Sequence, residues 1–216
     1  MEITIETKIT NKTKAILAVH LYGQPADMVS LMSLASDNNI YVVEDCAEAI
    51  GSKINGKYVG TFGHISTFSF FGNKTMTTGE GGMVCSNIKS IIDRVSRLKT
   101  QGLASHREYW HDIIGYNYRM TNICAAIGVA QIEKVDEFIN RKKEIASLYK
   151  DNLRDLPISF QGSQSDSEHT HWMFSILLND EGLTDKIVNI NPASLPSDKK
   201  KENETTIRSS DDIVST

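Results

Sequence analysis

Over the first hundred residues, short apolar runs alternate with amphipathic stretches. Lys14–Leu21 (KAILAVHL) is almost continuously apolar, the pattern of a strand buried on both faces. Asp27–Asn38 spaces Met28, Leu31, Met32, Leu34 and Ala35 at helical intervals, with Pro25 just ahead. A second buried strand is expected over Ile40–Val43, ending in Glu44 and Asp45, and two more over Ile65–Phe70 and Gly82–Ser86. Ile88–Leu98 reads as a helix with Ile91, Ile92, Val95 and Leu98 on one face. Strands alternating with helices predict an α/β fold, a mainly parallel sheet flanked by helices.

The pattern changes at residues 101–120, which carry aromatic and polar loop chemistry. Thr121 or Asn122 then caps one long helix over Ile123–Leu153, whose apolar positions Ile123, Ile127, Ala130, Val135, Phe138, Ile139 and Leu148 keep a helical rhythm. His171–Leu178 suits one more strand. No aromatic residue follows Phe174, and Asp198–Glu204 is almost wholly charged. The stretch 184–216 is therefore expected to be a disordered polar tail, too poor in apolar residues to offset its own ordering. The expected divisions are 1–120, 121–183 and 184–216.

Composition narrows the function classes. With 216 residues, 40% of them hydrophobic and 23% charged, the chain is long enough to bury a core. A net charge of −4 argues against a general nucleic-acid binder. No apolar run reaches the roughly 18 residues of a membrane span, and the opening MEITIETKIT has no apolar core for a signal or transit peptide. Cys46, Cys85 and Cys124 are scattered with no CxxC pair, as expected of thiols in a reducing cytoplasm. Six histidines (His20, His64, His106, His111, His169 and His171) show no HExxH spacing, and no metal site is expected.

Six of the fourteen glycines fall between Gly60 and Gly82, around a single lysine, Lys74. A phosphate-binding P-loop needs glycine immediately before its lysine and again five residues further back; those positions hold Asn73 and Phe68. Two readings remain: a solvated surface lysine, or a lysine that condenses with a carbonyl cofactor. The second needs a partly desolvated pocket to supply the uncharged amine, and the Phe70–Phe71 pair after the strand is expected to wall one. Asp45, at the carboxyl edge of the sheet where open α/β sheets bind ligands, could pair with a cofactor's ring nitrogen. It could equally be a turn or cap residue.

The segments EDCAEAIGS (44–52), VGTFGHISTFSFFGNKTMTTGEGGMV (59–84) and YWHDIIGYNYRMTNICAAIGVAQIE (109–133) resemble the DegT/StrS-type sugar-nucleotide aminotransferases, over about residues 5–180. Within that family the wording is nearest to the GDP-perosamine synthases, which make a 4-amino sugar for bacterial O-antigens. The resemblance implies a partial aspartate-aminotransferase-like large domain (fold type I) over 1–120. Residues 121–183 would then hold the long helix and the start of a small domain. It also implies pyridoxal 5′-phosphate as cofactor. Lys74 would bond to it covalently and later move a proton at the sugar C4; relatives that dehydrate sugars carry histidine there. Asp45 would pair with the pyridine nitrogen, Glu48 would lie near the ring's 3-oxygen, and Ser69 would bind the phosphate. Asn117 would reach that phosphate in the neighbouring subunit of a homodimer with shared sites. The implied substrates are a GDP-4-keto-6-deoxymannose-like sugar nucleotide and glutamate as amino donor. Neither nucleic acid nor membrane is implied as a partner.

His64 stands where relatives more often have aspartate. Tyr109, Trp110 and His111 suit either stacking on the substrate or interface packing, and Arg119 either a phosphate or a neighbouring acid. Family members run longer at both ends, and their N-terminal part supplies an aromatic residue that stacks on the cofactor and a Gly-Thr turn that binds its phosphate. Nothing before Lys14 matches either. The rival expectation is accordingly a truncated, non-catalytic remnant or dimerisation partner.

Overall fold

The computed structural model describes residues 5–163, 166–178 and 187–190. In chain order the elements are β1 (Ala15–Val19), α1 (Met28–Asp37), β2 (Tyr41–Asp45), β3 (Lys53–Ile54), β4 (Lys57–Tyr58), β5 (Ile65–Ser69), β6 (Gly82–Cys85), α2 (Lys89–Lys99), α3 (Asn122–Ile132), α4 (Val135–Leu153), β7 (Ile158–Phe160), β8 (Ser167–Glu168), β9 (Phe174–Leu178) and β10 (Ile187–Ile190). The main sheet runs β1-β2-β5-β6, parallel from β1 to β5 and antiparallel at β6. This is the α/β architecture expected. Two small sheets accompany it, β10-β9-β7 and β4-β3-β8.

Strand periodicity gives the main sheet two unlike faces. Ala18, Val42, Glu44 and Ser66 face inward, and the first two join Met28, Leu31 and Ala35 of α1 in the core. Asp27 caps α1 by accepting the Ser30 N–H, and the two bonds it draws from Ser30 hold its carboxyl below the ordinary range. The opposite face carries Leu17 (62% exposed), Val19 and Tyr41. Burial of β1 on both faces is therefore not what the chain does. A continuous apolar run sets a strand's propensity, but an edge strand with one helix against it has only one covered face.

Glu44 is the most heavily bonded side chain of the core. Its carboxylate, wholly buried, accepts the backbone N–H groups of Gly60 (2.7 Å), Phe62 (2.9 Å) and Gly63 (2.6 Å). His20, also fully buried, accepts the Ala26 N–H on Nδ1 and so donates from Nε2 to Glu44 (3.2 Å). Burial pushes the Glu44 carboxyl up, but the His20 and Gly63 bonds, then Gly60, outweigh it and hold it below the usual range.

Three other expectations change. The long helix is two, because Lys134 leaves helical geometry (φ −114°, ψ 6°) and its N–H turns back to Gln131. Ile132 and Val135 remain three apart, so the apolar rhythm runs through the break unmarked. The strand expected from His171 starts at Phe174, since His171 sits at φ +51° and cannot extend the ladder. Within the expected tail, Ile187–Ile190 pairs antiparallel with β9, a short β-branched run sufficient to add an edge. The rest of 184–216 lies outside the described residues.

Replacing Glu44 with alanine leaves three backbone N–H groups and one imidazole N–H buried without an acceptor. The expected loss is about 3–5 kcal/mol of unfolding free energy, with Glu44→Gln intermediate because it restores one acceptor. Urea unfolding midpoints of the three proteins check this order.

Candidate active site around Lys74

Register brings the expected residues to one edge. Asp45, the last residue of β2, pairs with Thr67 on β5, and Ser69 lies two residues beyond Thr67. Paired residues of parallel strands point to the same side, so Asp45, Thr67 and Ser69 share the face opposite the α1 core. The chain then makes a closed excursion, 70–81, between β5 and β6. Phe70 N–H donates to Gly81 O, and Phe70 O accepts from Thr78 N and Thr77 Oγ1. Along this loop burial switches on at Lys74: Phe71 to Asn73 are exposed, while Thr75 and Met76 are buried.

The Lys74 side chain is 15% exposed. Its Nζ lies 3.9 Å from Glu48 Oε1 and 3.9 Å from the centroid of the Trp172 ring. The wall foreseen from Phe70 and Phe71 is only half present: Phe70 is buried in the core, but Phe71 is 59% exposed. Trp172 replaces it; its signal in the sequence is slight, a tryptophan at the start of the strand expected over His171–Leu178, which the structure leaves just ahead of β9. Glu48 Oε2 also accepts the Tyr22 N–H (2.8 Å), which ties the turn after β1 to the site. Asp45 Oδ1 accepts from Ala47 N (3.0 Å), and Ser69 Oγ from Phe71 N (3.4 Å).

Asn117 sits apart from this group. It is exposed and bridges Thr100 in backbone pairing. Of its neighbours, Tyr109 is exposed, Trp110 carries Arg107 at 4.6 Å from its ring, and the His111 Nδ1–H donates to Gln101 O (2.8 Å). His64 gains a physical account. Its Nδ1 accepts the Val42 N–H (2.9 Å) just before β5 begins to pair with β2, a place an aspartate carboxylate could serve equally.

His20, Glu44 and Cys46 place one ligand-type atom each within 4.8 Å of one another. The bonds already made by His20 and Glu44 saturate that cluster, so it reads as framework. His169 and His171 stack at 3.9 Å and lie outside any strand. His169 receives the His171 N–H on Nδ1, and its Nε2–H faces Gln161 Oε1 (3.3 Å).

A carboxylate and a hydroxyl thus lie at the carboxyl ends of β2 and β5, and the loop that follows β5 carries a primary amine with a second carboxylate and an indole around it. That donor set fits an aldehyde cofactor bearing a basic ring nitrogen and a phosphate. The model of the DegT/DnrJ/EryC1/StrS aminotransferase family matches residues 2–192. The chain is 58% identical over 89% of its length to a GDP-perosamine synthase of Escherichia coli O157:H7, covering 55% of that protein. It is 54% identical over 82% of its length to one of Vibrio cholerae, covering 48%. Among solved structures, a GDP-4-keto-6-deoxymannose-3-dehydratase (ColD) variant with bound GDP-perosamine aligns with a TM-score of 0.75 at 26% identity. That alignment covers 82% of this chain and 50% of the other. The chain spans about half the length of the curated relatives it matches.

Burial, aided by Lys150, pushes His171 down to about 4; burial, the His171 ring and Lys150 push His169 down to about 3, against 6.5 unperturbed. Both rings stay neutral in the folded chain at a pH where the unfolded chain protonates them. Their contribution is therefore complete above about pH 6.5 and is lost as pH falls toward 4 and then 3, by up to ~1.4 kcal/mol per pH unit for each ring. Unfolding free energies measured from pH 7 to pH 4 should fall steeply in the wild type and less steeply in a His169→Gln/His171→Asn variant.

Proposed function

This chain belongs to the DegT/DnrJ/EryC1/StrS aminotransferase family, and on that premise we propose that it is the lysine-bearing core of a pyridoxal-phosphate-dependent aminotransferase. Its substrate would be a 4-keto-6-deoxy sugar nucleotide, the ketone whose amination would give a 4-amino sugar such as the perosamine in the relatives' name, and its amino donor glutamate. The carrying observation is the largely buried Lys74 amine between Glu48 and Trp172, on the loop that follows β5. The GDP-perosamine synthases and a relative named as a UDP-sugar 3-aminotransferase support this reading over a non-catalytic remnant.

Pyridoxal phosphate, when bound, supplies an electron sink that loosens the hydrogen on the carbon bearing the amino group. The chain's residues do the rest. Lys74 would hold the cofactor through its amine and would move a proton at the sugar C4. Asp45 would hold the ring nitrogen in its protonated form. Ser69 would offer a hydroxyl to the phosphate, and Glu48, 3.9 Å from the lysine amine, would lie near the ring's 3-oxygen. Lysine at 74, where the dehydrating relatives have histidine, favours transfer of the amino group.

The exposed apolar surface of α3 and of the loop before it supports a homodimer. Ile123 (77% exposed), Ile127, Val129 and Ile132 leave this helix with no buried residue, and Tyr116 and Tyr118 stack on each other in the open. A surface this apolar is normally covered, and a second copy covering it would carry Asn117 toward the partner's site. Among the described residues no helix is long and apolar enough to cross a membrane, and the three cysteines are free. Action on a nucleotide sugar in the cytoplasm, toward an O-antigen, accords with both.

Incubation with pyridoxal phosphate should give a yellow band that borohydride fixes as a pyridoxyl group on Lys74, with no label in Lys74→Ala. Absence of label at saturating cofactor would refute the assignment. Ile123→Glu with Ile127→Glu should convert a dimer to monomer in sedimentation equilibrium, leaving helix content unchanged.

A further inference from the structure

Trp172 comes to Lys74 from the far end of the described chain, and we propose that it is a positioning residue that fixes the lysine amine for reaction. The inference rests on the reading of Lys74 as the cofactor-bonding lysine. A lysine side chain has four rotatable bonds and wanders unless something holds it. At Lys74 two groups do so, and they differ. Glu48 Oε1 is 3.9 Å from Nζ, beyond hydrogen-bond reach, whereas the ring face of Trp172, 3.9 Å from its centroid to Nζ, is in full contact.

A ring can position an amine only if it is itself held. Trp172 is 7% exposed, and its Nε1–H donates to Asn73 O at 2.9 Å. Asn73 directly precedes Lys74, so the indole is registered against the backbone from which the lysine springs. The Trp172 carbonyl accepts from Lys142 Nζ of α4 (3.3 Å). Two residues earlier, Thr170 shares a hydrogen bond with Ser52 Oγ (2.8 Å), which donates to Gly23 O (2.7 Å). Gly23 lies at φ +98°, and a Cβ there would fall 2.8–3.1 Å from Thr170 Oγ1, His171 N and Trp172 N. Only glycine lets the 170–172 segment sit this close. The indole thus closes a ring of contacts from the turn after β1, through α4, to the lysine loop.

A core-filling tryptophan would tolerate any apolar replacement of similar bulk, whereas a positioning ring needs its π-face. Trp172→Phe keeps an aromatic face and loses the Asn73 bond; Trp172→Leu, apolar and nearer in size to phenylalanine than to tryptophan, loses the face as well, so the two variants are read against each other. On the full chain without cofactor, limited acetylation by sulfo-N-hydroxysuccinimide acetate, read by peptide mass spectrometry, reports how the amine is held. The exposed Lys89 serves as internal reference. Lys74 labelling relative to Lys89 should rise about threefold or more in Trp172→Leu and stay within about twofold of wild type in Trp172→Phe. Pyridoxal-phosphate trapping by borohydride should slow about tenfold in Trp172→Leu and be largely kept in Trp172→Phe.

Equal labelling and trapping in wild type and Trp172→Leu would overturn the positioning role. If the wild type labels as expected but is never trapped, the cofactor reading fails and the hold of the ring on the amine stands. Should Trp172→Leu not fold, the emission of Trp172 in a Trp110→Phe background decides. It should change when Lys74→Met removes the ammonium from the ring, and an unchanged spectrum would overturn the proposal.

Discussion

A buried carboxylate governs the geometry of this fold. Glu44 lies in the middle of the core, takes three backbone N–H groups from the loop ahead of β5, and receives the His20 ring from the end of β1. Without those partners an ionised carboxylate could not stay there, because desolvation alone would cost several kcal/mol. With them, the loop 60–63, β1 and β2 are locked together at the carboxyl ends of the strands. Asp45 is the next residue along, pointing the other way. The framework and the proposed chemistry occupy neighbouring positions on one strand, separated by the period-2 alternation.

That alternation divides the sheet into a dry face and a working face. Glu44 and Ser66 are buried on the side of the sheet that carries the core, while Asp45, Thr67 and Ser69 look out over the other side. The lysine loop springs from the same strand as Ser69 and is clasped shut on Phe70, so its one lysine is delivered close to the strand ends. The aromatic wall comes from the segment before β9, docked by Thr170 on Gly23 and by Lys142 on Trp172. Elements some hundred residues apart in sequence therefore meet at one amine.

The exposed apolar surface has the same logic. The outer face of β1, the loop around Tyr116 and Tyr118, and α3 are apolar and uncovered. The homodimer proposed above would cover part of this surface. Helix α3, apolar along its length, has no buried residue.

Local pattern determined a good deal: α1 from its apolar spacing, and the four strands of the main sheet within a residue or two; it also singled out Lys74 and Asp45 as candidate residues. Such features are written in the chain because side-chain period, capping and glycine spacing act over a few residues. The break between α3 and α4 escaped because Ile132 and Val135 keep helical spacing across it; the acidic Asp136 and Glu137 opening α4 were the available sign. The one-sided exposure of β1, the pairing of β10, the saturation of Glu44 and the arrival of Trp172 over Lys74 were settled by tertiary structure alone. Each depends on which distant segment comes to lie against it, and neither periodicity nor spacing carries that information.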